Sequence, residues 1–404
     1  MSTLTSTQVA SAQAPDAEEL EALRSLGYIN RPPEAPANRA ARKTGVVLNL
    51  LPHVASGFTL ITVIPEAKAI LVDNLGRVVR TWQHREAEQW ARAILLENGD
   101  VLAIGQLPGD LEAKSDAVWS GDRPNLDPAD GQPWYPLLGK YLARYGWDGT
   151  LHWRRGARAH HDLEVGDDGR ILTLGLRTRT VDDLVFEDHS ILVYLPHGEL
   201  EKELSLFDLL RSNPTIFRLP KTTDFPGALR ASGVLDLLHS NAVTRMPFPE
   251  LRDRGDLYCG ACVLVTVRHQ NLLAVVDIDR EKLVWVWGPG ELQYPHEGRW
   301  LENGHLLVFD NGTRDRGYSR VVEVDPLTGE IVWSYQAKKP SAFFTSGRGT
   351  AQKLPNGNVL ISSANQGRVF EVTPQGRTVW RYVVRGGTWR RAWPPACRLP
   401  RVQH

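Results

Sequence analysis

The chain has 404 residues, with 47 basic and 47 acidic side chains, so its formal net charge is zero. A neutral chain offers no field that attracts nucleic acid or an anionic membrane, and neither is expected as a partner. Its apolar runs fall short of the roughly 18 residues of a transmembrane helix, and its N-terminus lacks the pattern of a signal peptide, which favours a cytoplasmic protein.

The N-terminal segment differs in composition from the rest of the chain. Residues 1–40 are rich in Ala, Pro, Ser and Glu, which predicts a tail with one short helix in "DAEELEALRSLGYI". Residues 41–404 are expected to form the main domain. Two long insertions interrupt it, near 107–140 and 205–238, and long loops on a rigid scaffold often carry function.

A phrase of the form strand, tight turn, strand recurs six times along the chain. Most copies end in a tryptophan, and the copies end at or near Trp82, Trp153, Leu204, Trp287, Trp333 and Trp380. Branched residues in the strands and Gly, Asn or Asp in the turns are typical of β-hairpins. The terminal tryptophans are expected to be core residues.

A second hairpin phrase follows most copies of the first. It appears as "LLENGDVLAIG", "VGDDGRILTLG", "LENGHLLVFDNG" and "LPNGNVLISSA". Two hairpins in each unit give four strands, and six such units arranged around an axis predict an all-β, six-bladed β-propeller. The early strand "GFTLITVI" at Gly57 is expected to complete the last blade and close the ring.

Three histidines occupy one register of consecutive repeats. His296 and His161 each precede a residue of their hairpin turn by seven positions, and "LHSNAV" aligns with "HHDLEV" to place His239 in the same slot. Inner strands of a propeller line its channel, so these side chains are expected to converge there. They offer a nucleophile, an acid/base pair or a metal triad.

Polar neighbours surround this slot. Asn241 lies two residues after His239, so both side chains share one face of the strand. His160 is expected to point away from His161 and to pack behind it. Arg268 ends the strand after His239, and its planar guanidinium suits sulfate, phosphate or carboxylate, with a structural ion pair as the alternative.

The cysteines do not form a zinc site. Cys259 and Cys262 form one Cys-x-x-Cys pair, and a second pair is missing. Inert strand residues and a disulfide or redox pair both remain open.

The motifs together resemble one family. "YGWDGTLHW", "AHHDLEV", "LHSNAV", "VTVRHQNLLAVVDID" and "YPHEGRWLENGHLLVFDNG" are similar to segments of the bacterial arylsulfotransferases, over roughly residues 45–385. The resemblance implies a six-bladed propeller with its active site in the channel and no cofactor. It implies sulfuryl transfer from an aryl sulfate donor to a phenol by a ping-pong reaction through a sulfohistidine.

The resemblance also implies roles for individual residues. His296 corresponds to the histidine that accepts the sulfuryl group, whereas His239, Asn241 and Arg268 correspond to residues that bind its oxygens or move protons. His161 corresponds to a further active-site histidine.

The resemblance leaves one histidine assignment open, suggests an aromatic contact to the substrate, and differs from the family at the nucleophile. His160 competes with His161 for the place of the further histidine, and Phe344 is expected to stack on the aryl ring. The family usually has Gln-His-Asp around the nucleophile, whereas this chain has Pro-His-Glu at 295–297.

Two other functions and one other location remain open at this stage. The channel histidines suit a metal-dependent enzyme, and the departure at the nucleophile suits a propeller that binds ligands without catalysis. Exported relatives make the periplasm the alternative location. The sequence leaves the oligomeric state undetermined.

Overall fold

The computed structural model describes residues 44–63, 66–108, 139–181, 184–220, 234–384 and 396–399. Six antiparallel sheets account for most of these residues, five with four strands and one with five. The predicted six-bladed β-propeller is therefore confirmed. Across the described ranges, no helix is both long and apolar enough to cross a bilayer. The tail 1–40 and most of the first insertion lie outside these ranges.

The strands follow the repeats in chain order. The first strand and blade one contain β1 (Gly45–Asn49), β2 (Phe58–Val63), β3 (Lys68–Asp73) and β4 (Val78–Gln83). Blade two contains β5 (Gln89–Leu95), β6 (Val101–Gln106), β7 (Lys140–Tyr145) and β8 (Leu151–Gly156). Blade three contains β9 (Ala159–Val165), β10 (Ile171–Val181), β11 (Leu184–Tyr194) and β12 (Leu200–Ser205).

The remaining blades continue this order. Blade four contains β13 (Ser240–Arg245), β14 (Cys262–Val267), β15 (Leu272–Asp277) and β16 (Lys282–Trp287). Blade five contains β17 (His296–Trp300), β18 (Leu306–Asp310), β19 (Arg320–Val324) and β20 (Ile331–Tyr335). Blade six and the last strand contain β21 (Thr350–Lys353), β22 (Val359–Ser363), β23 (Arg368–Val372), β24 (Thr378–Val383) and β25 (Ala396–Leu399).

Short helices occupy some of the connections between strands. The α-helix α1 (Leu206–Arg211) begins after Ser205, whose side chain accepts a hydrogen bond from the Asp208 backbone N–H. This contact satisfies one of the free donors at a helix N-terminus. The 3₁₀ helices are Pro249–Arg254, Asp256–Tyr258, Pro340–Ala342 and Ala364–Gln366.

Both ends of the described chain close the ring. The C-terminal strand β25 pairs with β2 and supplies the first strand of blade one, whereas β1 pairs with β24 at the outer edge of blade six. The prediction that the strand at Gly57 completes the last blade is therefore wrong. The repeat gives each strand its place in a hairpin, but it does not say which neighbour a terminal strand joins.

The apolar core lies between the blades. Six clusters of buried side chains occur among the described residues, each between two neighbouring sheets. Leu264 of blade four and Val308 of blade five, for example, belong to one cluster and are both fully buried. Burial of each such side chain contributes about 1.5–3 kcal/mol to the free energy of folding, so the contacts between adjacent blades stabilise the propeller.

Outer-strand tryptophans join four of the blades to the blade that follows. Four of them donate their indole N–H to a turn carbonyl of the following blade: Trp82 to Gly146 (3.0 Å), Trp287 to Gly329 (3.1 Å), Trp333 to Pro374 (2.7 Å) and Trp380 to Asn74 (2.9 Å). The expectation that these residues are simply core is thus incomplete. Each bond contributes about 1 kcal/mol, and the Trp380 bond joins blade six to blade one.

Cys259 and Cys262 form a disulfide. It closes the turn between the 3₁₀ helix Asp256–Tyr258 and β14. Of the two alternatives left open by the sequence, the structure contains the bonded pair.

Candidate functional site

The inner strands of four consecutive blades are irregular at the same level of the channel. The ladders of β5, β9, β13 and β17 each contain a register shift near their first residues. Such β-bulges re-aim side chains and are common beside active sites. The backbones of His161 (φ 60°) and His239 (φ 46°) are left-handed there, a strained conformation for these residues.

His296 is held in one tautomer. Its Nδ1 donates to Oδ1 of Asn311 at 2.6 Å, and its Nε2 accepts from the backbone N–H of Arg348 at 3.0 Å. Burial and the positive charge of Arg268 together lower the pKa of His296 to about 3, although the hydrogen bonds to Asn311 and Tyr294 oppose the shift. The imidazole is therefore neutral at physiological pH, with its lone pair on Nε2.

Asn311 also fixes the loop that faces His296. Its amide nitrogen donates to the carbonyls of Thr345 (2.7 Å) and Arg348 (2.6 Å). Arg348 has a left-handed backbone with φ 62°, so the loop is held in a strained shape. One buried amide thus positions both the histidine and the N–H that contacts it.

Arg268 is the buried cation of the site, with only 2% of its surface exposed. It donates to Nε2 of His269 at 2.8 Å and to the carbonyl of Ser346 at 3.4 Å. Its guanidinium also lies 4.5 Å from the centre of the Tyr294 ring. These contacts hold the planar fork in one orientation near His296.

His239 forms a hydrogen-bonded pair with a buried carboxylate. Its Nδ1 lies 2.6 Å from Oδ2 of Asp236. Burial lowers the pKa of His239 well below its usual range, although Asp236 opposes the shift. The pKa of Asp236 is also well below its usual range: burial alone would raise it, but His239 and His269 favour its anion. The carboxylate is therefore ionised and orients His239.

The two adjacent histidines of β9 have different surroundings. His161 is solvent-exposed in the channel, and its ring centre lies 5.1 Å from that of His239. His160 is 2% exposed, and its Nε2 donates to the Gly175 carbonyl at 3.0 Å. Its ring also packs against His189 at 5.1 Å. The Nδ1 atoms of the two rings nevertheless lie 2.5 Å apart, so His160 does not point away from His161 as expected. The backbone of His161 is left-handed, and the alternation of side chains along a regular strand therefore does not hold here. His161 faces the channel, and His160 packs behind it.

For Asn241 and Phe344, the contacts are with the segments that flank the histidine site. The Asn241 amide donates to the Pro295 carbonyl at 3.0 Å, which fixes the residue before His296. Phe344 is half-buried in the loop that carries Arg348, next to the core residue Phe343.

A ring of charges lies beside the histidines. Arg299 contacts Asp162 at 2.7 Å and Glu297 at 2.9 Å, and Arg92 contacts the same two carboxylates at 3.3 and 3.0 Å. These residues come from blades two, three and five, so the ring ties the blades together across the axis. The glutamate of the Pro-His-Glu sequence belongs to this ion ring.

Sequence reasoning missed several residues of this site. Asn311 was visible as the counterpart of Arg268, because both follow the second strand of their blades. His269 follows Arg268 directly. Asp236 could have been found from the sequence, because an acidic residue inside the apolar run "GVLDLL" indicates a buried carboxylate that needs a partner.

Candidate metal ligands differ from those expected. Among the described residues, the groups close enough to hold one ion are Asp236 with His239 and His269, and Glu187 with His189 and Asp236. His161 and His296 belong to neither group. The metal triad of His161, His239 and His296, which the sequence left open as one alternative, is therefore not among the groups that could hold an ion.

Comparison with known proteins gives one family. The model of the Arylsulfotransferase (ASST) family matches residues 150–385, which is more than half of the chain. No curated protein matches.

Solved structures resemble the chain only weakly. A Bacteroides caccae protein of unknown function is 13% identical, with TM-score 0.45, 81% of this chain covered and 94% of that one. A virginiamycin B lyase from Staphylococcus aureus is 9% identical, with TM-score 0.43 and coverages of 85% and 89%. The Myceliophteria thermophila Cps50 propeller domain is 12% identical, with TM-score 0.44 and coverages of 86% and 88%. Likenesses this weak say nothing about activity.

Proposed function

The chain belongs to the arylsulfotransferase family, and from that premise we propose that it transfers a sulfuryl group from an aryl sulfate to a phenol through a sulfohistidine at His296. Membership of the family supports sulfotransferase activity in general. The residues of the channel support the finer mechanism, one step at a time.

The observation that carries the proposal is the pair of hydrogen bonds that fixes the tautomer of buried His296. Asn311 keeps the proton on Nδ1, and burial keeps the ring neutral, so Nε2 holds a lone pair. A neutral imidazole nitrogen is a nucleophile, whereas an imidazolium is not. Strongly shifted pKa values cluster at functional sites, which favours a functional role for this buried histidine.

In the first half-reaction, Nε2 of His296 attacks the sulfur of the aryl sulfate. The N–S bond forms as the bond between sulfur and the aryl oxygen breaks, and the aryl oxygen leaves with the bonding electrons. The fork of Arg268 binds the sulfuryl oxygens and stabilises their charge. In the resting protein the backbone N–H of Arg348 donates a hydrogen bond to Nε2 of His296. During the attack this N–H donates to a sulfuryl oxygen instead, which leaves the lone pair of Nε2 free to form the N–S bond.

Asp236 and His239 handle the proton. Because Nδ1 of His239 donates to Asp236, Nε2 is the nitrogen that gains and loses a proton. Binding of the anionic donor favours the imidazolium form, so Nε2 of His239 first takes up a proton from solvent. His239 then gives this proton to the departing phenolate and recovers one from the incoming phenol. The phenol oxygen then attacks the sulfur, the N–S bond breaks, and His296 regains its lone pair. His161, exposed beside His239, contacts the aryl groups or their oxygen.

Single-turnover chemistry tests this proposal. Protein is mixed with 4-nitrophenyl sulfate without acceptor, and we expect a burst of nitrophenolate equal to the protein concentration. Mass spectrometry should find one added sulfuryl group on the peptide that contains His296. A phenol added later should remove it and appear as the aryl sulfate.

The matched variants are His296→Asn and His305→Asn. His305 lies on the same blade but contacts Glu323 at 2.9 Å, away from the channel. We expect the burst to disappear only in His296→Asn. A full burst in that variant would assign the nucleophile to another residue, and labelling of a different histidine would do the same.

A further inference from the structure

We propose that Glu187, His189 and Asp236 bind a divalent transition-metal ion beside the channel. The site is distinct from the proposed nucleophile and does not depend on the proposed sulfuryl transfer. Its three side chains come from two neighbouring blades, so an ion there would also join them.

The fold brings the three residues together by ordinary strand geometry. Glu187 and His189 are two positions apart on β11, so both side chains leave the same face of the strand. Asp236 precedes β13 of the next blade. Leu235 holds its segment against β11, since its carbonyl accepts from the Glu187 N–H at 2.8 Å and its own N–H donates to Val185.

The distances suit a shared ion. Nε2 of His189 lies 3.5 Å from Oδ1 of Asp236 and 3.9 Å from Oε2 of Glu187. Ligands at about 2.0–2.2 Å from a tetrahedral ion are separated by about 3.4 Å. Small side-chain movements therefore bring all three atoms into coordination, and all three side chains are at most 1% exposed.

His189 supplies a second, independent observation. Its ring is buried, yet within the part of the chain that the structure describes neither ring nitrogen has a hydrogen bond of good geometry, and the acceptor nearest to Nε2 is the Asp236 carboxylate at 3.5 Å. A buried polar group without a partner is costly and rare. A metal ion on Nε2 would remove that cost at one of the two ring nitrogens.

The other candidate group does not need an ion. Nδ1 of His269 donates to the Asp236 carbonyl at 2.8 Å, and its Nε2 accepts from Arg268. His239 likewise donates to Oδ2 of Asp236. Hydrogen bonds already account for these two histidines, so His189 is the ring that an ion would use.

The ligand set indicates which ions fit. One imidazole and two carboxylates favour Zn²⁺, Mn²⁺ or Co²⁺ over ions that prefer sulfur. Asp236 would bridge, with Oδ1 on the ion and Oδ2 on His239, so occupancy would alter the basicity of His239. Lys140 is the nearby positive charge that interacts with Glu187, and it would compete with the ion for this carboxylate.

Cobalt titration tests the proposal without any assay of activity. The full-length protein is freed of metal with a chelator and titrated with Co²⁺, and visible absorption is recorded. We expect bands that saturate at one ion per chain. His189→Ala should weaken binding at least about tenfold, and Lys140→Met should strengthen it. Zn²⁺ should raise the melting temperature of the parent protein but not of His189→Ala.

His197→Ala is the control, because His197 belongs to the same blade, is exposed and pairs with Glu199 at 3.2 Å. Circular dichroism establishes that each variant folds. Absence of saturable Co²⁺ binding, or equal binding by His189→Ala and His197→Ala, overturns the proposal. Greater stability of His189→Leu than of the parent protein with Zn²⁺ present also overturns it, because a buried ion would then contribute nothing.

Discussion

Nδ1 of His296 lies 2.6 Å from Oδ1 of Asn311, and this contact decides which nitrogen of the histidine carries the proton. Asn311 follows β18, just as Arg268 follows β14 one blade earlier. One repeat position therefore supplies the buried cation in blade four and the amide that fixes the tautomer in blade five.

The first prediction concerns Asn311. Asn311→Ala should slow the burst of nitrophenolate by about 100-fold or more, because the proton of His296 is then free to move to Nε2 and remove the nucleophilic lone pair. Stopped-flow absorbance measures the burst. Asn303→Ala, in the hairpin turn of the same blade, should leave the burst within a few-fold, and an unchanged burst in Asn311→Ala would contradict the role given to this amide.

The second prediction concerns stability against acid. Unfolded His296 has the ordinary pKa of 6.5, and in the folded protein its pKa is about 3. Between these values the unfolded chain binds a proton that the folded protein rejects, so the free energy of unfolding falls as pH falls from 6.5 towards 3. Near pH 5 the loss attributable to His296 is about 2 kcal/mol.

Urea unfolding at pH 8 and pH 5 measures this loss. The other buried histidines act in the same direction, so the quantity compared is the difference between the parent protein and His296→Asn. We expect the variant to lose less stability on acidification. An equal loss in both proteins would show that His296 keeps an ordinary pKa when folded.

The third prediction separates proton transfer from nucleophilic attack. Asp236→Asn should slow transfer from phenyl sulfate by about 100-fold. Unsubstituted phenolate is a poor leaving group unless His239 protonates it, and His239 depends on Asp236 for that proton transfer. Transfer from 4-nitrophenyl sulfate, whose phenolate is stable without a proton, should fall by less than about tenfold. Exposed Asp253, changed to Asn, is the control. Equal losses with both donors would argue against a role in proton transfer.

The fourth prediction concerns the ion ring. Asp162→Asn removes the carboxylate shared by Arg92 and Arg299 and leaves both cations partly unpaired in the channel. We expect the free energy of unfolding to fall by about 3–5 kcal/mol. Asp168→Asn breaks an exposed pair with Arg170 and should cost less than about 1 kcal/mol. Equal effects in urea unfolding would mean that the ring does not stabilise the blades.

The sequence determined the parts of this protein that repeat. Two hairpin phrases in a fixed order predicted four-stranded blades, because turn residues and alternating apolar positions act locally. The same register placed a histidine on the inner strands of three blades. His161 and His239 do lie together, with ring centres 5.1 Å apart.

The tertiary structure decided everything that depends on contacts between distant segments. It joined β25 to β2 and β1 to β24, and it directed Trp380 to the Asn74 carbonyl of another blade. It also brought Asp236 to His189 of the preceding blade. A repeat specifies the strands of each blade, but it does not specify which strand pairs with the edge of that blade. Asp236 lies in a long insertion, so no repeat position predicts where its buried carboxylate lies. Only the closed ring, which buries these groups together, determines which of them meet.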